Sequence, residues 1–193
     1  VGRTEAAEMS DDVKVCDAAE AARLIREMAG RIWEGATPEN PIRLVGVRSR
    51  GVPLAQRLAA EAAASGRGEV AVGAVDITLY RDDLDQVPHW PVLRGTEIPF
   101  DVEGADVVLV DDVLFTGRTI RAALNAVCDL GRPSRIRLAV LVDRGWRELP
   151  IQADVVGLRL PTERDDRVEV RLGPMDPVEE IVRIPSPHRL SPS

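Results

Sequence analysis

Three apolar runs constrain this chain more than any other feature. RLVGV (43–47), VVLV (107–110) and IRLAVLV (136–142) are short and lack the sustained polar alternation of a half-solvated strand. Such runs suit strands buried on both faces, the pattern of a parallel sheet. Helical patterns lie between them. Ala21, Leu24, Ile25, Met28 and Ile32 share one face across 17–35, VPLAQRLAAEAAAS (52–65) runs to Gly66, and IRAALNAVCDL (120–130) runs to Gly131 and Pro133. Strands alternating with helices predict an α/β fold, a mostly parallel twisted sheet flanked by helices. VAVGAVDITL (70–79) reads as a further strand, and 153–160 and 168–172 read as two edge strands or a hairpin.

A length of 193 residues predicts one domain, placed at 11–172. Residues 1–10 and the Pro/Ser-rich 173–193, ending IPSPHRLSPS, are expected to be disordered. Two cysteines and two histidines argue against a disulfide scaffold, a zinc module or a histidine-rich metal site. Cys128 is expected in the core and Cys16 to be without a role. Aromatic residues at 3% disfavour an RNA-binding sheet built on stacked rings, and a net charge of −7 disfavours non-specific nucleic-acid binding. There is no run of 18 apolar residues and no apolar signal core near the start, so a cytoplasmic location is expected.

In parallel sheets ligands bind beyond the carboxyl ends of the strands. Three polar clusters fall at such ends: Arg48–Gly51, Asp111–Thr119 and Asp143–Gly145. A long loop over 81–100 leaves the same edge, which predicts one shared site. In VVLVDDVLFTGRT (107–119) two carboxylates emerge from a buried strand, and Thr116, Gly117, Arg118 and Thr119 sit at the mouth of the next helix. A helix N-terminus offers unpaired N–H groups to a phosphate, and carboxylates accept from sugar hydroxyls or hold Mg2+ through its water shell. The segment would grip a sugar phosphate. The plainer reading is that Asp111 and Asp112 are solvated strand-end residues and Thr116 caps the helix.

VVLVDDVLFTGRT resembles the phosphoribosyl-pyrophosphate (PRPP) signature of type I phosphoribosyltransferases. DITLYRDDL (76–84) and LAVLVDRGWRELPIQAD (138–154) narrow the resemblance to the PyrR family of pyrimidine-operon attenuators and uracil phosphoribosyltransferases, across about residues 17–172. The resemblance implies an enzyme that makes UMP and pyrophosphate from uracil and PRPP, with UMP-sensing regulation of transcription, and assembly as a homodimer or homotetramer. It implies that Asp111 and Asp112 hold the ribose hydroxyls, that Thr116, Gly117, Arg118 and Thr119 cradle the 5′-phosphate, and that Val113, Leu114 and Phe115 also belong to the substrate-binding stretch. Ser49, Arg50 and Gly51 match the pyrophosphate loop, usually Thr-Arg-Gly, which in such enzymes often holds a non-proline cis peptide. Arg81 matches an arginine that reaches the pyrophosphate as the long loop closes; alternatively it is a solvated partner of Asp82 or Asp83. Mg2+ would be held mainly by substrate, through water to Asp111 and Asp112. His89 and Trp90 have no implied role.

Leader RNA is the doubtful partner. Arg144 and Arg147 remain as RNA-binding candidates, but the family's usual histidine, arginine, lysine and asparagine are Trp146, Gln152, Leu158 and Arg159 here, and its first-helix threonine and histidine are matched to Ile25 and Ala29. Four readings follow: a uracil phosphoribosyltransferase, an RNA-binding attenuator, a nucleotide sensor that has lost both activities, and a phosphate-binding receiver domain with an acidic pair. The receiver reading leaves YRDD and TGRT unexplained.

Overall fold

A computed structural model describes residues 12–34, 36–37, 41–78, 95–173 and 176–186. Its elements run β1 (Val13–Cys16), α1 (Ala18–Ile32), β2 (Ile42–Val47), α2 (Gly51–Ala64), β3 (Val72–Val75), β4 (Asp106–Leu114), α3 (Arg118–Cys128), β5 (Arg135–Asp143), β6 (Val155–Arg159), β7 (Arg167–Arg171) and β8 (Glu180–Ile184). Five strands form a parallel sheet in the order β3-β2-β4-β5-β6. Both faces are covered, as the apolar runs require. Val108 and Val110 join Leu24, Ile25 and Met28 of α1 and Leu54 and Leu58 of α2, whereas Val107 and Leu109 join Ile120, Ala123 and Val127 of α3. Asp17 caps α1 by accepting from Glu20 N at 2.9 Å. Among the described residues no helix is long and apolar enough to cross a membrane.

Several expectations need correction. Of the two readings of 153–160 and 168–172, the edge strands hold and the hairpin does not: β6 is an edge of the large sheet, while β7 is an edge of a separate antiparallel sheet of order β1-β8-β7. The diversion is made by the turn at Asp166, whose carboxylate accepts from Glu163 N at 3.0 Å and pairs with Arg183 at 2.6 Å. The expected disorder of 173–193 does not hold at 180–184, which form the central strand of that small sheet. Ile181 and Val182 are buried there, and Ile181 joins the core cluster that also holds Val170, Leu172 and Cys16. Cys128 is exposed, because the inward stripe of α3 passes through Ala126 and Val127 one position earlier. Residues 1–10, Arg81, His89 and Trp90 lie outside the described residues.

Parallel register brings the loops after Val47, Leu114 and Asp143 to one edge of the sheet. Leu114 pairs with Asp143, so β4 continues four residues beyond the apolar run and both acids lie inside the ladder. If β8 holds the small sheet on the core, Ile181→Ala should lower unfolding free energy by about 2–5 kcal/mol in urea titration; a disordered segment would give no change.

Candidate functional site

The site is built from the three loops at that edge. The first carries a cis peptide bond between Arg48 and Ser49, then Arg50 as the cap residue of α2. Gly51 is packed so tightly on β4 that a β-carbon there would run into the Val110 carbonyl oxygen, with Asp111 Cα 3.3 Å away. Only glycine lets this loop lie directly against the acidic pair.

Asp111 is buried at 6% exposure and Asp112 is half-buried. Asp111 Oδ1 accepts from Asp112 N at 3.0 Å. Burial first, and the neighbouring Asp112 charge second, push the Asp111 carboxyl well above the ordinary range. Burial also raises Asp112, while hydrogen bonds and the Arg50 charge pull it the other way. The acids are therefore not solvated strand-end residues. They are a coupled pair in which Asp111 holds its proton more firmly.

Beyond the acids, Gly117 caps α3 with φ +93° and no side-chain capping bond. Thr116 is not the cap residue, although its Oγ1 accepts weakly from Arg118 N at 3.4 Å. The first turn of α3 thus faces the same edge as the acids, with the positive end of the helix dipole towards an incoming anion. Thr119 lies exposed in that turn.

The third loop shapes a cavity of about 430 Å³ lined by Asp143, Arg144, Gly145, Trp146, Arg159, Pro161 and Thr162. Trp146 has φ +60°, and its indole N–H donates to the Thr162 carbonyl at 2.7 Å across the cavity mouth. Sequence reasoning located this region but not the tryptophan's bridging position, which depends on a left-handed backbone that favours glycine.

Arg144 and Arg147 are not the free cations expected of an RNA surface. Arg144 is buried, donates to Thr162 Oγ1 and to the carbonyls of Glu163 and Arg164, and lies 4.0 Å over the Phe115 ring. Arg147 pairs with Asp143 at 2.6 Å and donates to main-chain carbonyls. Ile25 and Ala29 face the core, so they present nothing to RNA; the exposed positions on that turn of α1 are Arg26, Glu27 and Gly30. Arg50 also has a partner the sequence did not suggest. Asp176 grips it in fork geometry at 2.5 and 3.2 Å, and Val170 O accepts from the same guanidinium. Asp176 was hidden in the segment expected to be disordered, and nearby Glu179 pairs with Arg57 of α2 at 3.0 Å.

The raised carboxyl pKa of Asp111 sets a sign. The folded value lies above the unfolded one, about 3.9, so Asp111 favours the fold below that pH and the benefit is lost as pH rises through the folded value. Asp111→Asn removes the buried charge and keeps the acceptor for Asp112 N. The variant should therefore be more stable than the parent at neutral pH, with the gap closing towards about pH 4 in urea titrations across pH. A gap independent of pH would place the burden elsewhere.

Residues 14–174 match the family described as the phosphoribosyl transferase domain. The Bifunctional protein PyrR of Chloroflexus aurantiacus is 52% identical over 174 residues, covering 90% of this chain and 96% of that protein. The protein of the same name from Thermus aquaticus is 52% identical over 163 residues, covering 84% and 90%. Among solved structures, a hypoxanthine phosphoribosyltransferase of Trypanosoma cruzi shares the fold with a TM-score of 0.70 at 21% identity, covering 95% of this chain and 100% of that one. A hypoxanthine phosphoribosyltransferase of Staphylococcus aureus does so with a TM-score of 0.68 at 15% identity, covering 92% and 94%. The parallel sheet, the acid pair leading into the open end of α3, and this extent of identity lead to one conclusion: the chain belongs to the phosphoribosyl transferase family, among the PyrR proteins.

Proposed function

We propose that the protein transfers 5-phosphoribose from PRPP to uracil, giving UMP and pyrophosphate. One observation carries the reading. A single stretch, Asp111–Thr119, presents two carboxylates and then the uncapped mouth of α3, beside a cavity sized for a nucleobase. Identity above 50% with proteins named Bifunctional protein PyrR supports it.

In this reading Asp111 and Asp112 accept from the ribose 2′- and 3′-hydroxyls, and residues 115–119 receive the 5′-phosphate. Uracil occupies the cavity at Asp143–Trp146, where the indole bridge to Thr162 walls one side. The N1–C1 bond forms as the C1–O bond to pyrophosphate breaks, and the uracil N1 proton is lost. Positive charge grows on the ribose ring and negative charge on the leaving group. The ionised carboxylate of the pair lies where it can favour the ring charge. Arg50 and Arg81 are the cations proposed for the leaving pyrophosphate, and Arg50 meets it by exchanging the Asp176 carboxylate for phosphate oxygens.

Among the described residues no cluster of three metal-ligating side chains is present. The acid pair nevertheless fits Mg2+ carried by the substrate: it offers hard oxygen donors, and half-buried Asp112 can meet the ion through water. When bound, Mg2+ would neutralise charge on the departing pyrophosphate. Purified protein with Mg2+, PRPP and uracil should release UMP, with guanine and orotate left unused. Asp112→Asn should weaken PRPP binding about 10-fold or more, since a charge-assisted hydrogen bond of about 1.5–3 kcal/mol is removed. Folded protein that binds PRPP yet leaves uracil unchanged would turn the reading towards a nucleotide sensor.

Transcriptional control through leader RNA is the second activity to consider, and the surface favours a reduced form of it. Arg144 and Arg147 are committed to carbonyls, Leu158 packs against the core, and Gln152 is uncharged; Arg159 and Trp146 remain exposed. Filter-binding titrations against the cognate leader should show weak or absent sequence-specific binding, with a shallow salt dependence. Submicromolar, UMP-enhanced binding that discriminates against a scrambled loop would show that the exposed residues rebuild an RNA surface.

A further inference from the structure

Backbone N–H groups can face a phosphate only if the carbonyls of the same stretch are fixed elsewhere and satisfied. In a trans peptide the C=O of one residue and the N–H of the next point in opposite directions. The carbonyls of Leu114, Phe115 and Thr116 therefore decide where the N–H groups of Phe115, Thr116 and Gly117 point. All three carbonyls are bound on the side of the 144–149 segment. Leu114 O accepts from Arg144 N at 3.1 Å, and Thr116 O accepts from Glu148 N at 3.0 Å and Leu149 N at 3.2 Å. Phe115 O accepts from Arg147 Nη1 at 2.7 Å.

Arg147 is the junction of this arrangement. Its Nη1 also donates to Gly145 O at 3.0 Å and reaches Leu114 O at 3.4 Å, its Nε donates to Ile151 O at 3.0 Å, and its Nη2 pairs with Asp143 Oδ1 at 2.6 Å. The guanidinium serves four carbonyls and a carboxylate with donors on every nitrogen, a load that the three donors of a lysine cannot match. Asp143 in turn lines the base cavity and accepts from Gly145 N at 3.0 Å.

We infer that Arg147 is a positioning residue for the phosphate loop: it turns the loop's carbonyls outward so that the N–H groups aim into the cradle, and it ties that loop to the wall of the base cavity. The inference rests on the proposed phosphoribosyl transfer, because it assumes that residues 115–119 receive the 5′-phosphate.

Ribose 5-phosphate is the probe, used with the full chain. Arg147→Gln should raise its dissociation constant about tenfold or more, as expected when a loop of donors is misaimed. KM for PRPP should rise with it while kcat stays within about threefold. Arg147→Lys should recover part of the affinity, and guanidinium ions should restore binding to Arg147→Ala. If Arg147→Gln does not fold, as judged by circular dichroism and melting, the lysine variant and the guanidinium titration carry the comparison. Native-like Arg147→Gln that binds ribose 5-phosphate within about twofold of the parent would overturn the inference. So would a variant that loses only leader-RNA binding, or failure of both lysine and guanidinium to restore any affinity. Parent protein with no affinity for ribose 5-phosphate would instead overturn the phosphate reading itself, and the inference with it.

Discussion

The parallel ladder between β4 and β5 outlasts the apolar residues that begin it, and the rest of the site depends on that extension. Leu114 is still in register with Asp143. Asp111 and Asp112 are thereby drawn into the sheet, where burial works against their ionisation. The same register makes the loops after β4 and β5 start side by side. Arg144 N can then bond Leu114 O, and the short span from Asp143 to Arg147 can fold back onto the preceding loop. Had β4 ended at Val110, the acids would be solvated and the two loops would part company.

A second close contact completes the arrangement from the other neighbour. Gly51 sits on the Val110 carbonyl, so the loop after β2 has no freedom to stand off from the acids. Three loops thus meet over one short length of β4. Two are held by backbone and arginine contacts and one by the absence of a side chain. Burial in the sheet sets an electrostatic penalty on the ionised form of Asp111. The hydrogen bond from Asp112 N, rather than solvent, fixes the direction of that carboxylate.

The large sheet and its site-bearing edge were legible because their signals are local: apolar runs, helical stripes, and polar clusters at strand ends. The ladder's extension was not, since Asp111 and Asp112 read as a strand end until the register with β5 is known. The small sheet was also hidden. Its strands come from distant parts of the chain, and the Pro/Ser composition after Ile184 masked the apolar Ile181 and Val182. The arginines misled for a different reason. With Lys14 the only basic residue that is not arginine, composition cannot separate a surface cation from one anchored on carbonyls. Arg50, Arg144 and Arg147 find their partners through tertiary contacts with Asp176, Thr162 and Phe115, and no spacing rule connects those positions.

The small sheet has a consequence for how the chain is made. Its order is β1-β8-β7, so among the described residues the first strand bonds only to the last. Val13–Cys16 cannot pair until residues 180–184 have left the ribosome, although α1, which follows it directly, can dock on the large sheet long before. During synthesis β1 is therefore an open edge awaiting a distant partner, exposed to mispairing with other nascent chains. The arrival of residues 176–184 closes that edge and also delivers the carboxylate that holds Arg50. Closure of the small sheet and completion of the loop after β2 are, in this molecule, the same event.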